Sequence, residues 1–241
     1  DEIAKAFGAQ VFRAEVGEAN VVNLAREKRR QGYTVRILGE GSNGGNITHP
    51  EAVRDPLNTI FALIRLLVLH SKDEKFPNLF HTWCSLSGQL LFFSDAFSLS
   101  DIIASLPQYK TTETLDERAV MHIATADHAV LKRRFQKLFE AEWQTKKDQL
   151  KKDYGIISYE AVATNALVET RNISDFGISG KGGLKIIFNG KDNQPLAFIW
   201  MRGSGTEPVF RVMCDIKGDN SEMEAKLLQW ERSLIESADK I

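Results

Sequence analysis

The chain has 241 residues, 43% of them hydrophobic and 26% charged, which is typical of a globular protein with one large domain or two ordinary ones. Its 31 basic and 32 acidic residues give a net charge of −1, so there is no electrostatic reason to expect a nucleic acid or an anionic membrane as partner. The longest apolar stretch, Thr59 to Leu69, is interrupted by Arg65 and is too short to cross a bilayer. Cys84 and Cys214 lie far apart, which favours buried free thiols in a reducing, cytoplasmic compartment.

The first part of the chain alternates between helix and strand patterns. The predicted elements are a helix at Ile3–Phe7, a strand at Gln10–Arg13, a helix at Val21–Arg30, a strand at Thr34–Leu38 and a helix at Leu57–Leu69. This alternation predicts an open α/β layer fold with a parallel sheet. The strands are too few to complete such a sheet, and the chain starts at Asp1 in a helix-like segment, so we expect a fragment or a processed chain. Residues 71–97 carry no clear pattern.

The second part follows the polar connector Pro107–Glu113, which we take as the domain boundary. Its pattern predicts a small α+β domain. The predicted elements are a long helix at Asp127–Lys152 with a solvated charged face, strands at Gly183–Asn189, Pro195–Trp200 and Val209–Ile216, and a final helix that begins with a capping box of Ser221 and Glu224.

The last two of these strands are joined by a loop whose residue types suit phosphate binding. Arg202 carries a planar guanidinium that can donate to two phosphate oxygens at once. Ser204 and Thr206 add small hydroxyl donors. Gly203 and Gly205 let the backbone turn tightly and expose successive N–H groups to an anion. The alternative is a polar hairpin turn with no ligand.

Arg211 lies two residues after Val209 in the following strand, so both share one face of it. Its guanidinium is therefore a second candidate for the same phosphate. Arginine at both ends, together with two hydroxyls and two glycines, favours phosphate binding over the plain hairpin.

A second glycine-rich loop, Gly39–Asn46, follows the strand predicted at Thr34–Leu38. In open α/β sheets, ligands bind beyond the carboxyl ends of strands, which is where this loop lies. Glu40 can accept hydrogen bonds from two neighbouring sugar hydroxyls, and Ser42 can donate or accept one. The spacing fits neither a dinucleotide fingerprint nor a Walker loop. A flexible loop without a ligand is the alternative.

Together the two loops resemble those of the α-D-phosphohexomutases. The segment Arg202–Arg211 closely resembles the phosphate-binding signature of the fourth domain of that family. The Glu40 loop is similar to the family's third-domain sugar-binding loop, usually Gly-Glu-Glu-Ser-Gly, although Gly41 replaces the second glutamate and Asn43 is inserted.

Weaker similarities extend the resemblance over most of the chain, except residues 71–97. Val16-Gly17-Glu18 resembles a glycine turn that approaches the substrate, and Arg54-Asp55 resembles a basic-Asp pair that can reach the phosphate. Pro56 stands where the family has glycine, and Ile102–Tyr109 is similar to the link out of the third domain.

The resemblance implies a partial three-layer α/β third domain at 1–108 and an α+β fourth domain with a small antiparallel sheet and flanking helices at 109–241. It implies phosphoryl transfer between O1 and O6 of a hexose, through a phosphoserine and a bisphosphorylated sugar. The substrate would be a phosphorylated hexose. Arg202, Gly203, Ser204, Gly205, Thr206, Arg211 and Arg54 would bind its phosphate, and Glu40, Ser42 and Glu18 its sugar.

The family's phosphoserine loop and the Asp-x-Asp-x-Asp loop that holds Mg²⁺ do not occur in this sequence. Phosphoryl transfer needs both a nucleophile and neutralisation of charge. We therefore expect no catalytic or metal-binding residue here, with both supplied by N-terminal domains of a longer polypeptide. Two alternatives stay open: a stand-alone phosphosugar-binding module, and an enzyme of another kind that anchors its substrate by a phosphate.

The histidines have no spacing that indicates a site. His49 follows the Glu40 loop and is a candidate proton shuttle, although a surface histidine is the simpler interpretation. His70, His81, His122 and His128 are assigned no role.

Overall fold

A computed structural model of the protein describes residues 1–40, 46–49, 51–70, 77–204 and 209–241. The described chain is a mixed α/β protein with seven α-helices, a seven-stranded sheet and a separate two-stranded sheet. It divides into two compact units. The first contains Asp1–Phe12 and Ala25–Pro107, and the second contains Arg13–Leu24 and Gln108–Ile241. The second unit thus includes a segment from near the start of the chain.

The elements before Pro107 are mostly short helices. They are α1 (Glu2–Ala6), α2 (Glu18–Arg30), β1 (Ile37–Gly39), β2 (Asn46–Thr48), α3 (Pro56–Val68), α4 (Leu79–Leu86) and α5 (Leu99–Ser105). Asp55 begins α3 by accepting hydrogen bonds from the backbone of Leu57 and Asn58. Ser98 and Asp101 form a capping box at α5. Phe80, Trp83, Cys84 and Ile102 form the buried core of the first unit.

Two predictions for the first part of the chain are wrong in the described residues. Gln10–Arg13 contains no strand, and the parallel sheet is replaced by the antiparallel pair β1–β2, with Gly39 opposite Asn46. The physical reason is the short connection, because parallel strands need a crossover of a dozen or more residues whereas residues 40–45 suffice only for an antiparallel return.

The second unit is built on an antiparallel sheet. Its strands are β3 (Tyr109–Thr111), β4 (Val120–Met121), β5 (Ser158–Asn165), β6 (Val168–Arg171), β7 (Gly183–Asn189), β8 (Pro195–Gly203) and β9 (Phe210–Lys217). The order is β3-β9-β8-β7-β5-β6, with β4 also paired to β9. The sequence analysis found β7, β8 and β9 and missed β5 and β6. Residues 161–163 of β5 are all buried, so the alternation that marks a half-buried strand is broken there.

Two long helices complete the unit, α6 (His128–Tyr154) and α7 (Ser221–Asp239). Their apolar residues form one core with the buried positions of β5, β7, β8 and β9. Along β8 and β9 buried positions alternate with half-buried ones, so one face of these strands lies in this core. Arg202 and Arg211 occupy half-buried positions and therefore lie on the opposite face.

The caps of α6 and α7 differ in how well the sequence indicated them. Asp127 caps α6 as the predicted boundary implies. The predicted Ser221–Glu224 box at α7 is wrong, because Asn220 caps this helix by accepting from the backbone N–H of Met223. Glu224 is only 2% exposed and instead accepts hydrogen bonds from Thr112 and Arg118. Both cysteines are free and buried, as predicted.

Candidate functional site

The hairpin of β8 and β9 places the two predicted phosphate-binding arginines together. Arg202 on β8 is the direct cross-strand partner of Arg211 on β9, and Gly203 is the partner of Phe210. Beyond these pairs the backbone N–H of Ser204 donates to the carbonyl oxygen of Val209 over 2.8 Å, which closes the base of the loop. Residues 205–208, including the candidates Gly205 and Thr206, lie outside the described residues.

Arg202 is held by the segment that precedes α2. Its Nη1 donates to Glu15 Oε1 over 3.0 Å and to the carbonyl oxygen of Val16 over 3.0 Å. Its side chain is 18% exposed. The Nε atom is buried and has no hydrogen-bond partner among the described residues. One corner of the guanidinium is thus fixed by Glu15 and Val16.

Both carboxylate oxygens of Glu15 and its backbone N–H have hydrogen-bond partners. Its Oε2 accepts from the backbone N–H of Gly183 over 2.6 Å and from Thr164 Oγ1 over 2.9 Å. Its own backbone N–H donates to Ala166 O over 2.8 Å, and the residue is 7% exposed. Sequence reasoning missed Glu15 because 187 positions separate it from Arg202. The available signal was its place directly before Val16-Gly17-Glu18.

The Val16-Gly17-Glu18 turn does reach Arg202, but through a backbone atom. Val16 O accepts from Arg202, and Asn20 Nδ2 also donates to it over 3.4 Å. Gly17 has a φ of 138°, in the region that favours glycine, and it turns the chain into α2. Glu18 is the first residue of that helix.

Lys132 on α6 is fully buried, at 0% exposure, so its predicted place on a solvated face is wrong. Its Nζ donates to the carbonyl oxygens of Gly180 over 2.9 Å and Gly182 over 2.6 Å. Burial lowers the pKa of Lys132 to about 8, while Glu15 raises it and Arg202 lowers it further. The pKa of Lys132 therefore depends on both residues of the Glu15–Arg202 ion pair.

His128, the first residue of α6, packs against the base of the loop. Its ring meets that of Phe210 edge-on, with centroids 5.3 Å apart, and a methyl group built on Gly203 would overlap it. Burial lowers the pKa of His128, and the charge of Lys132 lowers it further. The sequence analysis assigned His128 no role, because a glycine contact leaves no pattern in the sequence.

Arg211 faces an open cleft of the second unit. Its Nη1 donates to Thr114 O over 3.2 Å. The cleft has a volume of about 470 Å³, and Leu115, Asp116 and His122 also line it.

In the first unit, the structure brings together one residue predicted to bind the phosphate, Arg54, and one predicted to bind the sugar, Glu40. Arg54 Nη1 lies 3.4 Å from Glu40 Oε2, with the Glu40 side chain 11% exposed and that of Arg54 41% exposed. Ser42 lies outside the described residues. His49 is exposed, and its backbone N–H donates to Arg36 O over 2.9 Å.

In the part of the chain that the structure describes, no three His, Cys, Asp or Glu side chains are grouped so that they could hold a metal ion. No α-helix within the described ranges is long and apolar enough to cross a lipid bilayer. Comparison with models of known protein families gives no match, and a search of curated proteins gives none either.

Proposed function

We propose that this chain supplies the phosphate-binding and sugar-binding parts of a phosphohexomutase, an enzyme that interconverts hexose 1-phosphates and hexose 6-phosphates in the cytoplasm. The observation that carries the proposal is the cross-strand pair of Arg202 and Arg211 at the two ends of a Gly-Ser-Gly-Thr loop. Two guanidinium groups that start from the same face of a hairpin can both donate charged hydrogen bonds to one phosphate.

Each unit would then supply its own binding residues to the enzyme. Arg202, Gly203, Ser204, Gly205, Thr206 and Arg211 would bind the phosphate that is not transferred. Glu40, Ser42 and Glu18 would bind sugar hydroxyls, and Arg54, which is paired with Glu40, would add a further contact to the phosphate. Binding energy from the remote phosphate positions the reacting end of the sugar.

The transfer itself would use groups outside residues 1–241. The sequence has neither the family's phosphoserine loop nor its Asp triplet for Mg²⁺. We therefore propose that the chain alone binds hexose phosphates without turnover, and that N-terminal domains supply the nucleophile and the metal.

The test is ligand-dependent thermal stabilisation. Glucose 6-phosphate and glucose 1-phosphate should raise the melting temperature of the chain, and glucose alone should not. Arg202→Ala should abolish the shift. Arg171→Ala is a matched control, because Arg171 is also ion-paired, to Glu160 on β5, and β6 lies three strands from β8, about 14 Å away at usual strand spacing.

A melting shift that survives Arg202→Ala would show that the phosphate assignment is wrong. Turnover of hexose phosphates by residues 1–241 alone would favour an enzyme of another kind. The stand-alone module and the mutase differ in the reading frame upstream of Asp1, which in the mutase encodes a phosphoserine loop and an Asp triplet.

A further inference from the structure

We propose that two buried charged residues, Glu15 and Lys132, position the Arg202 guanidinium and keep its positive charge available to a phosphate. The inference rests on the proposed function and adds two residues to that site. Glu15 and Lys132 are positioning residues, since neither is expected to touch the ligand.

The first step is the geometry of Glu15. One carboxylate oxygen accepts from Gly183 N and Thr164 Oγ1, and the other accepts from Arg202 Nη1. Because Glu15 is fixed by β5 and β7, it holds one corner of the Arg202 guanidinium and defines where the remaining N–H groups point.

The net charge around Arg202 depends on more than its ion pair with Glu15. That ion pair alone would cancel the charge of Arg202 and weaken its attraction for an anion. Lys132 offsets this, because its buried ammonium group adds a second positive charge near Glu15, and the three residues together carry one net positive charge.

Lys132 and Glu15 both lie next to Gly182. Gly182 lies between them, since its carbonyl oxygen accepts from Lys132 Nζ over 2.6 Å and a methyl group built on it would lie 2.9 Å from Glu15 Oε2. The same methyl would clash with Asn165 Oδ1 at 2.5 Å. There is therefore no room for a side chain at 182 beside the Glu15 carboxylate.

Other charged groups lie on α6 and on α7. His128 lies one turn earlier on α6, and burial together with Lys132 and Lys181 keeps its pKa below its usual range, so it is neutral above pH 7. Asp239 of α7 is bound by the backbone N–H groups of Ala124 and Thr125. Trp230 of α7 contacts Phe139 and Glu142 of α6, which lie seven and ten residues after Lys132, about 10 and 15 Å along the helix.

The experiment measures the affinity of the chain for sulfate from pH 6.5 to 9.5 at constant ionic strength. Sulfate stays a dianion over this range, so only the protein titrates. We expect the wild-type affinity to fall about tenfold as Lys132 loses its proton, with a midpoint near pH 8. Lys132→Met should bind weakly at every pH, with no midpoint.

Glu15→Gln gives a readout that a structural role alone would not move. Because the Glu15 carboxylate raises the pKa of Lys132, its removal should shift the midpoint below that of the wild type. Lys137→Met on the exposed side of α6 is the control and should match the wild type. The wild-type profile is informative even where a variant fails to fold.

The outcomes separate the two proposals. If the wild type binds neither sulfate nor glucose 6-phosphate, the proposed function fails, and the role of the pair fails with it. If the wild type binds both but shows no midpoint near pH 8, or if Lys132→Met keeps the wild-type profile, the role of Glu15 and Lys132 is wrong while the phosphate site stands.

Discussion

Arg202 and Arg211 are direct cross-strand partners on β8 and β9, so their guanidinium groups leave the same face of the sheet opposite each other. Like charges in this relation destabilise a hairpin. Arg202 is compensated by Glu15, whereas Nη1 of Arg211 is bound to a neutral carbonyl, that of Thr114.

The first prediction is that Arg211→Gln weakens binding of glucose 6-phosphate by about tenfold to a hundredfold, the usual worth of a charged hydrogen bond. The unliganded variant should lose less than about 1 kcal/mol of stability, because a like-charge contact is removed together with one hydrogen bond. Calorimetric titration and urea unfolding measure the two effects. Equal affinity in both proteins would exclude Arg211 from the site.

The second prediction concerns the contact of Gly203 with His128. Gly203→Ala should destabilise the chain by about 1 to 3 kcal/mol, because the new methyl overlaps the imidazole ring. His128→Ala in the same chain should recover part of that loss, and the double-mutant cycle measures the coupling. Gly39→Ala is a control, since a methyl there meets no atom within 4 Å. Additive effects of the two changes would contradict the contact.

The third prediction is a pH dependence of stability that belongs to Lys132. Its pKa of about 8 in the folded chain lies below the usual value of 10.5, so the unfolded chain binds more protons between these values. Stability should therefore rise with pH in this window, by up to about 1.4 kcal/mol per unit, relative to Lys132→Met. Urea unfolding of both proteins at pH 7.5, 8.5 and 9.5 measures the difference. Parallel curves would mean that Lys132 is not buried as a titrating group.

The fourth prediction concerns Glu231 in α7. Glu231 is 0% exposed, and neither carboxylate oxygen has a hydrogen-bond partner among the described residues. Burial raises the pKa of this carboxyl well above its usual range. The folded chain then holds a proton that the unfolded chain releases, so its stability falls as pH rises above the unfolded value.

Glu231→Met should remove this loss and stabilise the chain by about 1 to 3 kcal/mol at pH 8, with a smaller gain at pH 4. Urea unfolding of the wild type and of Glu231→Met at pH 8 and pH 4 measures this difference in the free energy of unfolding. The exposed Glu236→Met on the same helix is the control. A gain that is equal at both pH values would show that the proton plays no part.

Much of the secondary structure was predictable because its causes are local. The helix of residues 128–154 and the strands β7, β8 and β9 follow from apolar periodicity and from the residues that bound them. The strand β5 was not predictable, because three consecutive buried residues hide its alternation. The antiparallel direction of β1 and β2 followed from the length of their connection, which the helix–strand alternation alone does not convey.

For the candidate site, the residue types of the loop from Arg202 to Arg211 could be read from the sequence, and they are the basis of the phosphate prediction. The residues that support Arg202 became visible only in the folded chain. Glu15 reaches Arg202 from the other end of the chain, and Lys132 is turned inward from a helix whose charges predict a solvated face. Whether a charge is paired or buried depends on which residues are close in space. Contacts between residues far apart in the chain produce no periodic pattern in the sequence, so they could not be predicted from it.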